Sequence, residues 1–380
     1  MNIGFDGKRA ANNLTGLGNY SRSLIGQLAQ FFPQNQYFVY TPKIKDRPQI
    51  KAFFNLQNVR FVLPSSSFNF LWRTLRIKKQ LSSNKIDLYH GLSHEIPLGL
   101  KQIGVPSIVT IHDLIFLKFP HYFGRIDRFI YTLKSRYACV NADKIVAISE
   151  QTKKDIISFF DIDEDKIEVV YQSCDDSFKT PVSNAFKQQV KDKLSLPAQY
   201  ILTVGTIEAR KNLVTLIKAL ANVSADYKLV VVGKETAYKQ LVLNEIENLS
   251  LKDRVIFLKD VPFNELPAIY QMASVFIYPS FYEGFGIPII EALYAQVPVI
   301  AATGSCLEEA GGTGSLYINP EDPKDLAATI TRVLNDGQLQ NEMKQKGLSY
   351  VQRFNSDKIA SDMMTVYQKV YENGLNTYQK

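Results

Sequence analysis

Cysteine is scarce in this chain of 380 residues: three occur, Cys139, Cys174 and Cys306, odd in number and without metal or redox spacing, which excludes a disulfide framework and leaves reduced thiols. Tryptophan occurs once, as Trp72. No uninterrupted apolar run reaches the roughly 18 residues that a bilayer span requires, and residues 1–7 begin directly with a strand pattern instead of a leader. A cytoplasmic protein is expected. Acidic excess is also lacking, for the net charge is +7, yet no nucleic-acid recognition motif accompanies the basic balance. An Asp-x-Asp metal pair at a strand end is missing too; Asp161-Ile162-Asp163 has the spacing but follows a helical segment. Gly16-Leu17-Gly18 invites a dinucleotide reading, but these glycines fall some ten residues after the first strand and Ser21 stands where a third should be. A hydride-transferring enzyme is thereby disfavoured, and what remains is a flexible loop that can approach a phosphate.

What is present is the composition of a globular protein, 46% hydrophobic and 21% charged, at a length that implies two domains. The charge is uneven: residues 1–178 carry 23 Lys/Arg against 16 Asp/Glu. Strand patterns at 1–6, 37–40, 59–63, 86–90, 107–112, 144–148 and 167–171 alternate with helical ones at 19–32, 68–83, 125–141 and 149–160. A polar stretch with Pro181, 177–185, reads as a linker. A second series then has strands at 200–204, 228–232, 255–258, 274–278, 297–301 and 315–318, with helices near 212–223, 236–249, 264–272, 288–295, 323–336 and 338–353. The fold class is α/β, with two tandem doubly wound domains, 1–178 and 186–355. Ligands sit beyond the carboxyl ends of such strands, so a deep cleft between facing domains is expected. The last segment, 356–380, begins as an amphipathic helix with Ile359, Met363, Val366, Tyr367 and Val370 on one face.

Three stretches carry chemistry. In 280–293 a strand, a Gly-rich loop and a helix start follow one another, with Glu283 and Glu291 flanking Gly284, Phe285, Gly286, Ile287 and Pro288. The helix start suits a phosphate, and carboxylates on either side suit hydroxyls, which is the pattern for sugars at both ends of a pyrophosphate. In 205–213 the pair Arg210-Lys211 stands between a strand end and a helix capped by Asn212, as a pyrophosphate clamp would. His112 and Asp113 end the apolar strand 107–112. His90 and His94 have the spacing of a metal pair but lack a third ligand. Phe68, Leu71, Trp72 and Leu75, with Arg73, Arg76, Lys78 and Lys79, form a basic amphipathic helix that can pack on its sheet or lie on an anionic membrane.

Together the Gly16/Gly18 loop, Thr110-Ile111-His112-Asp113-Leu114, Arg210-Lys211 and the Glu, seven residues, Glu signature at Glu283 and Glu291 resemble the retaining GT-B glycosyltransferases of family 4, across almost the whole chain. The resemblance implies that the second domain binds a nucleotide-sugar donor and the first the acceptor, while the helix from residue 356 crosses back to the first. It implies that Arg210 and Lys211 hold the pyrophosphate and that Glu291 accepts bonds from the ribose. Glu283 with the amides of Gly284 to Gly286 would hold the transferred sugar, and His112 would reach that sugar. Catalytic roles fall to His112, Asp113, Arg210, Lys211 and Glu283, and donor contacts also to Gly16, Gly18 and Ile287. No metal or other cofactor is required, since Arg, Lys and a helix dipole can stabilise the leaving group. Likeness to mannosyltransferases of surface-polysaccharide assembly around 110–120 and 205–213 favours GDP-mannose over UDP-sugars, and a glycan or lipid-linked glycan as acceptor. The sequence departs from the pattern at Glu308, where many relatives carry proline. A sugar phosphorylase, a nucleotide-sugar epimerase and a catalytically inactive nucleotide-binding subunit remain as alternatives.

Overall fold

The computed structural model describes residues 1–45, 51–65 and 71–378. It divides into two compact units, Met1–Gln172 with Ser356–Lys380, and Ser173–Asn355. The first holds β1 (Asn2–Asp6), β2 (Gln36–Tyr40), β3 (Val59–Val62), β4 (Leu88–Gly91), β5 (Ser107–Ile111), β6 (Lys144–Ala147) and β7 (Ile167–Val169). They form one sheet in the order β3-β2-β1-β4-β5-β6-β7, parallel at every pairing. The second holds β8 (Tyr200–Val204), β9 (Lys228–Val232), β10 (Val255–Leu258), β11 (Val275–Tyr278), β12 (Val299–Ala302) and β13 (Leu316–Ile318). Their order is β10-β9-β8-β11-β12-β13, again wholly parallel. Every strand expected from the pattern is present, its ends within two residues of the expected ones.

A parallel sheet is covered on both faces, so its strands need apolar side chains on both. In the first unit Phe5, Val39 and Leu88 pack with helix Gly16–Phe31 and helix Ser356–Tyr378. Tyr40, Tyr89, Val109 and Ile145 belong to a second cluster, with the helices of 77–83, 125–141 and 150–160. The apolar face expected on the final helix is buried in the first of these clusters: Ile359, Met363, Val366, Tyr367 and Val370 are each at most 4% exposed.

Three expectations need correction. Gly16 and Gly18 do not lie in a loop but form the first turn of Gly16–Phe31, after a short helix Lys8–Asn12. The stretch 177–185 is not a linker between the units. Phe178 is fully buried with its ring 5.6 Å from Tyr270 and 5.8 Å from Phe263, and Ser183 caps an additional helix, Asn184–Leu194. In the basic segment, Phe68 lies outside the described residues, and the rest is a wide turn, Trp72–Arg76, followed by helix Ile77–Ser83. Arg73 does not join a cationic face; it turns in to the buried Asp6 at 2.5 Å.

Where β8 and β9 end, a side chain at Gly233 would put its Cβ 1.8 Å from the Gly205 carbonyl oxygen, so the strand ends converge only without one. Among the described residues no helix is long and apolar enough to cross a membrane.

Candidate active site

In the second unit β8 and β11 are neighbours although β9 and β10 intervene in sequence. This is where the order reverses, and the loops after these two strands diverge to leave a crevice at the carboxyl ends. Arg210 and Lys211 come from the loop after β8, in the turn Ala209–Lys211. Glu283 comes from the loop after β11. Topology alone thus brings together residues 72 and 73 positions apart.

The contacts are charge-assisted and short. Arg210 Nη1 lies 2.7 Å from Glu283 Oε2 and donates to the Tyr282 carbonyl at 2.6 Å, while Nη2 lies 2.6 Å from Glu208 Oε1. Lys211 Nζ donates to Glu283 Oε1 at 2.6 Å and to the Tyr278 hydroxyl at 2.6 Å. Burial would raise the Glu283 carboxyl, but Lys211 and then Arg210 outweigh it and hold it at about 2. Burial lowers the Lys211 ammonium, with Glu283 opposing. Arg210 is displaced upward: its burial works against the charge and the two carboxylates prevail. Two cations and two carboxylates make a closed, neutral set, able to exchange a carboxylate for an incoming anion.

Asn212 explains how the clamp keeps its position. It sits at the start of Leu213–Leu220 with φ of 57° and makes no side-chain cap to that helix, contrary to the capping role expected of it. Its amide instead donates to Pro279 O at 3.1 Å and Pro320 O at 2.7 Å, and its Oδ1 accepts from Thr215 at 2.8 Å. The loops after β8, β11 and β13 are tied by one side chain. Gly286, with φ of +117°, precedes helix Ile287–Tyr294 and Pro288 lies in its first turn. A Cβ at Gly286 would meet Leu307 at 3.1 Å. The Cys306 thiol is fully buried, 3.1 Å from Glu283 O and 3.2 Å from Phe285 O. Phe285 turns inward onto Phe354, ring to ring at 5.3 Å, whereas Gly284 and Ile287 stay half-buried.

Glu291, 8% exposed, accepts from Tyr270 at 2.8 Å. Burial raises its carboxyl to about 7, the Tyr270 hydroxyl pulling down and Asp175 adding to the rise. It therefore titrates near neutrality, while Glu283 stays ionised.

Gly16, Gly18, His112 and Asp113 belong to the first unit. His112 Nε2 faces Leu92 O at 2.9 Å, which makes it the protonated nitrogen, and Tyr20 from helix Gly16–Phe31 stands edge-on at 4.6 Å. The His112 backbone N–H donates to His94 Nε2 at 3.3 Å. Burial holds His112 and His94 at about 4, so both rings are neutral at pH 7. Asp113 accepts from the Ile115 N–H at 3.1 Å and shapes the next turn. His90 is no metal ligand: its two nitrogens meet Tyr367 at 2.7 Å and Thr110 at 2.8 Å. Sequence reasoning missed Tyr270, Tyr278 and Cys306, and no spacing marks them. Asn212 carried a legible signal, the tolerance of asparagine for positive φ.

Two doubly wound α/β units with charged loops at a switch point define a class in which ligands bind beyond the carboxyl ends of the strands. Residues 185–349 match the glycosyl transferases group 1 family, and residues 14–178 match Glycosyltransferase Family 4. O-antigen chain mannosyltransferase B of Escherichia coli is 27% identical over 93% of this chain and 96% of its own. O-antigen chain mannosyltransferase RfbU of Salmonella typhimurium is 32% identical over 69% of this chain and 68% of its own. Sucrose-phosphate synthase of Thermosynechococcus elongatus, 21% identical, shares the fold over 98% of this chain and 100% of its own with a TM-score of 0.76. The chain belongs to the group 1, family 4 glycosyltransferases, and it is a glycosyltransferase of GT-B architecture.

Proposed function

We propose that this glycosyltransferase moves mannose from GDP-mannose to a glycan or lipid-linked glycan during surface-polysaccharide synthesis, at the inner face of the cytoplasmic membrane, with retention at the anomeric carbon. The observation that carries the reading is the Arg210-Lys211-Glu283 set at the switch point. A diphosphate entering there replaces Glu283 as the partner of the two cations and frees its carboxylate for sugar hydroxyls. As the bond to the anomeric carbon breaks, charge grows on the diphosphate beside two fixed cations, which stabilises the departing group without a divalent ion. In this reading Glu291, one turn into helix Ile287–Tyr294, accepts from ribose hydroxyls. The neutral His112 ring, whose one N–H goes to Leu92 O, can accept a hydrogen bond from a sugar hydroxyl at Nδ1 without forming an ion pair. Mannose and the polysaccharide acceptor rest on the mannosyltransferase relatives.

The test is a thermal-shift panel of nucleotides and nucleotide sugars. A ligand at about 100 times its Kd adds roughly 2.7 kcal/mol to the folded state. GDP and GDP-mannose are expected to stabilise the protein and to do so less in Arg210→Ala. A preference for UDP compounds overturns mannose, and no response to any nucleotide overturns the donor site. With the donor known, Arg210→Ala or Lys211→Ala lowers turnover at least about tenfold. EDTA leaves the rate unchanged, and NMR of the product shows the retained anomer.

A further inference from the structure

Helix Arg125–Asn141 is built inside out. The residues it turns toward its own unit are small, Ser135, Ala138 and Cys139, all buried. Its large apolar residues face outward. Ile126 at 76% and Phe129 at 63% are the most exposed large hydrophobic side chains among the described residues, with Leu133 at 54% and Ile130 at 41% on the same helix. At 100° per residue, Ile126, Phe129, Ile130 and Leu133 fall within one narrow stripe opposite the buried face. Arg125 and Arg136 border that stripe on one side, Lys134 on the other is ion-paired with Glu95 at 3.1 Å, and Asp127 is the helix's only acid. Nothing in the folding of this unit requires that order, since the same helix with polar residues outward would bury the same small face.

The stripe does not end with the helix. Tyr137 receives the Gly99 N–H at 3.3 Å, and the neighbouring Leu98, itself 36% exposed, donates its N–H to Thr74 O at 2.9 Å, next to Leu75, 44% exposed. The exposed apolar surface thus spans two elements of the first unit, the half of the chain with the excess of Lys and Arg.

We propose that this face docks on an anionic lipid bilayer, with helix Arg125–Asn141 lying in the plane of the interface. Apolar side chains enter the acyl boundary while the flanking arginines reach lipid phosphates, the division of labour that interfacial helices use. Charge complementarity selects lipid over a second copy, because two copies of this face would bring like-charged borders together. The inference moves the membrane contact away from Arg73, which is committed to Asp6. It deepens the proposed function, resting on it only for a lipid-linked acceptor that such a surface would bring within reach.

The experiment is flotation of the full chain with vesicles of equal parts phosphatidylglycerol and phosphatidylcholine, and with phosphatidylcholine alone, at low and high salt. The wild type is expected to float with the anionic vesicles and to be released by salt. The triple variant Ile126→Ser, Phe129→Ser, Leu133→Ser should lose that binding at least about tenfold while its Trp72 fluorescence melt stays unchanged, because the altered side chains face solvent. Arg125→Gln with Arg136→Gln should weaken anionic-vesicle binding and leave the apolar stripe intact. Equal flotation of the triple variant and wild type overturns the proposal. So does a wild-type dimer, seen by sedimentation, that the triple variant converts to monomer while neither binds vesicles. The thermal-shift response to GDP compounds is read on the same samples: if it persists where vesicle binding fails, the docking face is wrong and the donor reading stands.

Discussion

At the scale of single residues, the charged members of the site were legible and the neutral ones were not. Arg210, Lys211, Glu283 and Glu291 stand in spaced motifs whose charges declare an anion and hydroxyls. Cys306 declares nothing, because its part depends on the loops after β11 and β12 lying side by side. A thiol has one proton to donate, shared here between the carbonyls of Glu283 and Phe285, so it fixes the loop that carries the Glu283 carboxylate. Cys306→Ala is expected to raise the KM for the donor severalfold with a smaller change in kcat, because the loop must be ordered by the ligand at a cost of about 1 kcal/mol. Cys306→Ser, which keeps one donor at that place, should recover most of the loss. Steady-state kinetics on both variants decide it; equal KM in Cys306→Ala and wild type removes the thiol from loop positioning.

At the scale of elements, the thirteen strands among the described residues were readable because both faces of a parallel strand are buried, which leaves unbroken Val, Ile and aromatic runs. Helix starts were less readable, and Gly16 and Gly18 show why. Glycines after a strand suggest a loop, yet here Thr15 precedes a helix that begins at Gly16. The two glycines have different reasons to be there. A Cβ on Gly18 would stand 2.0 Å from the Asn13 carbonyl oxygen, a backbone atom, whereas a Cβ on Gly16 would meet nothing within 4 Å. Gly18→Ala should therefore cost about 1–3 kcal/mol, as overpacking does. Gly16→Ala should leave stability unchanged or raise it by up to about 1 kcal/mol through helix propensity. If a substrate approaches the helix start as the family resemblance implies, Gly16→Ala will lower turnover in a protein that melts no earlier. Urea unfolding beside an activity assay separates the two effects, and a Gly16→Ala protein with full turnover takes that glycine out of the site.

At the scale of the whole molecule, the division into two units was foreseen but its seam was misplaced, because a short polar stretch with proline looks like a linker even when Phe178 beside it is buried. The units carry opposite pH dependence. In the first, burial holds His90 at about 3 and His94 and His112 at about 4, below the usual 6.5. Between those values the unfolded chain binds protons that the folded unit does not, so its stability falls as pH drops below about 6.5. In the second unit Glu291 sits at about 7, above the usual 4.5. There the folded state binds the extra proton, so that contribution grows as pH falls from about 7 toward 4.5. Glu283, at about 2, stays ionised in the folded state throughout this window, so its contribution begins to be lost only at the acid end, as the unfolded carboxyl takes up protons toward pH 4.5. Trp72, the only tryptophan, is buried in the first unit, so its fluorescence melt reports that unit while circular dichroism reports both. Acidification from about pH 7.5 to about pH 5 is expected to lower the fluorescence midpoint by at least about 3 °C and to split the dichroism melt, the later phase belonging to the second unit. Glu291→Gln should flatten the pH response of that later phase alone. Midpoints that move together in both signals, with Glu291→Gln indistinguishable from wild type, would show that the buried histidines and the buried carboxyl do not govern the two units separately.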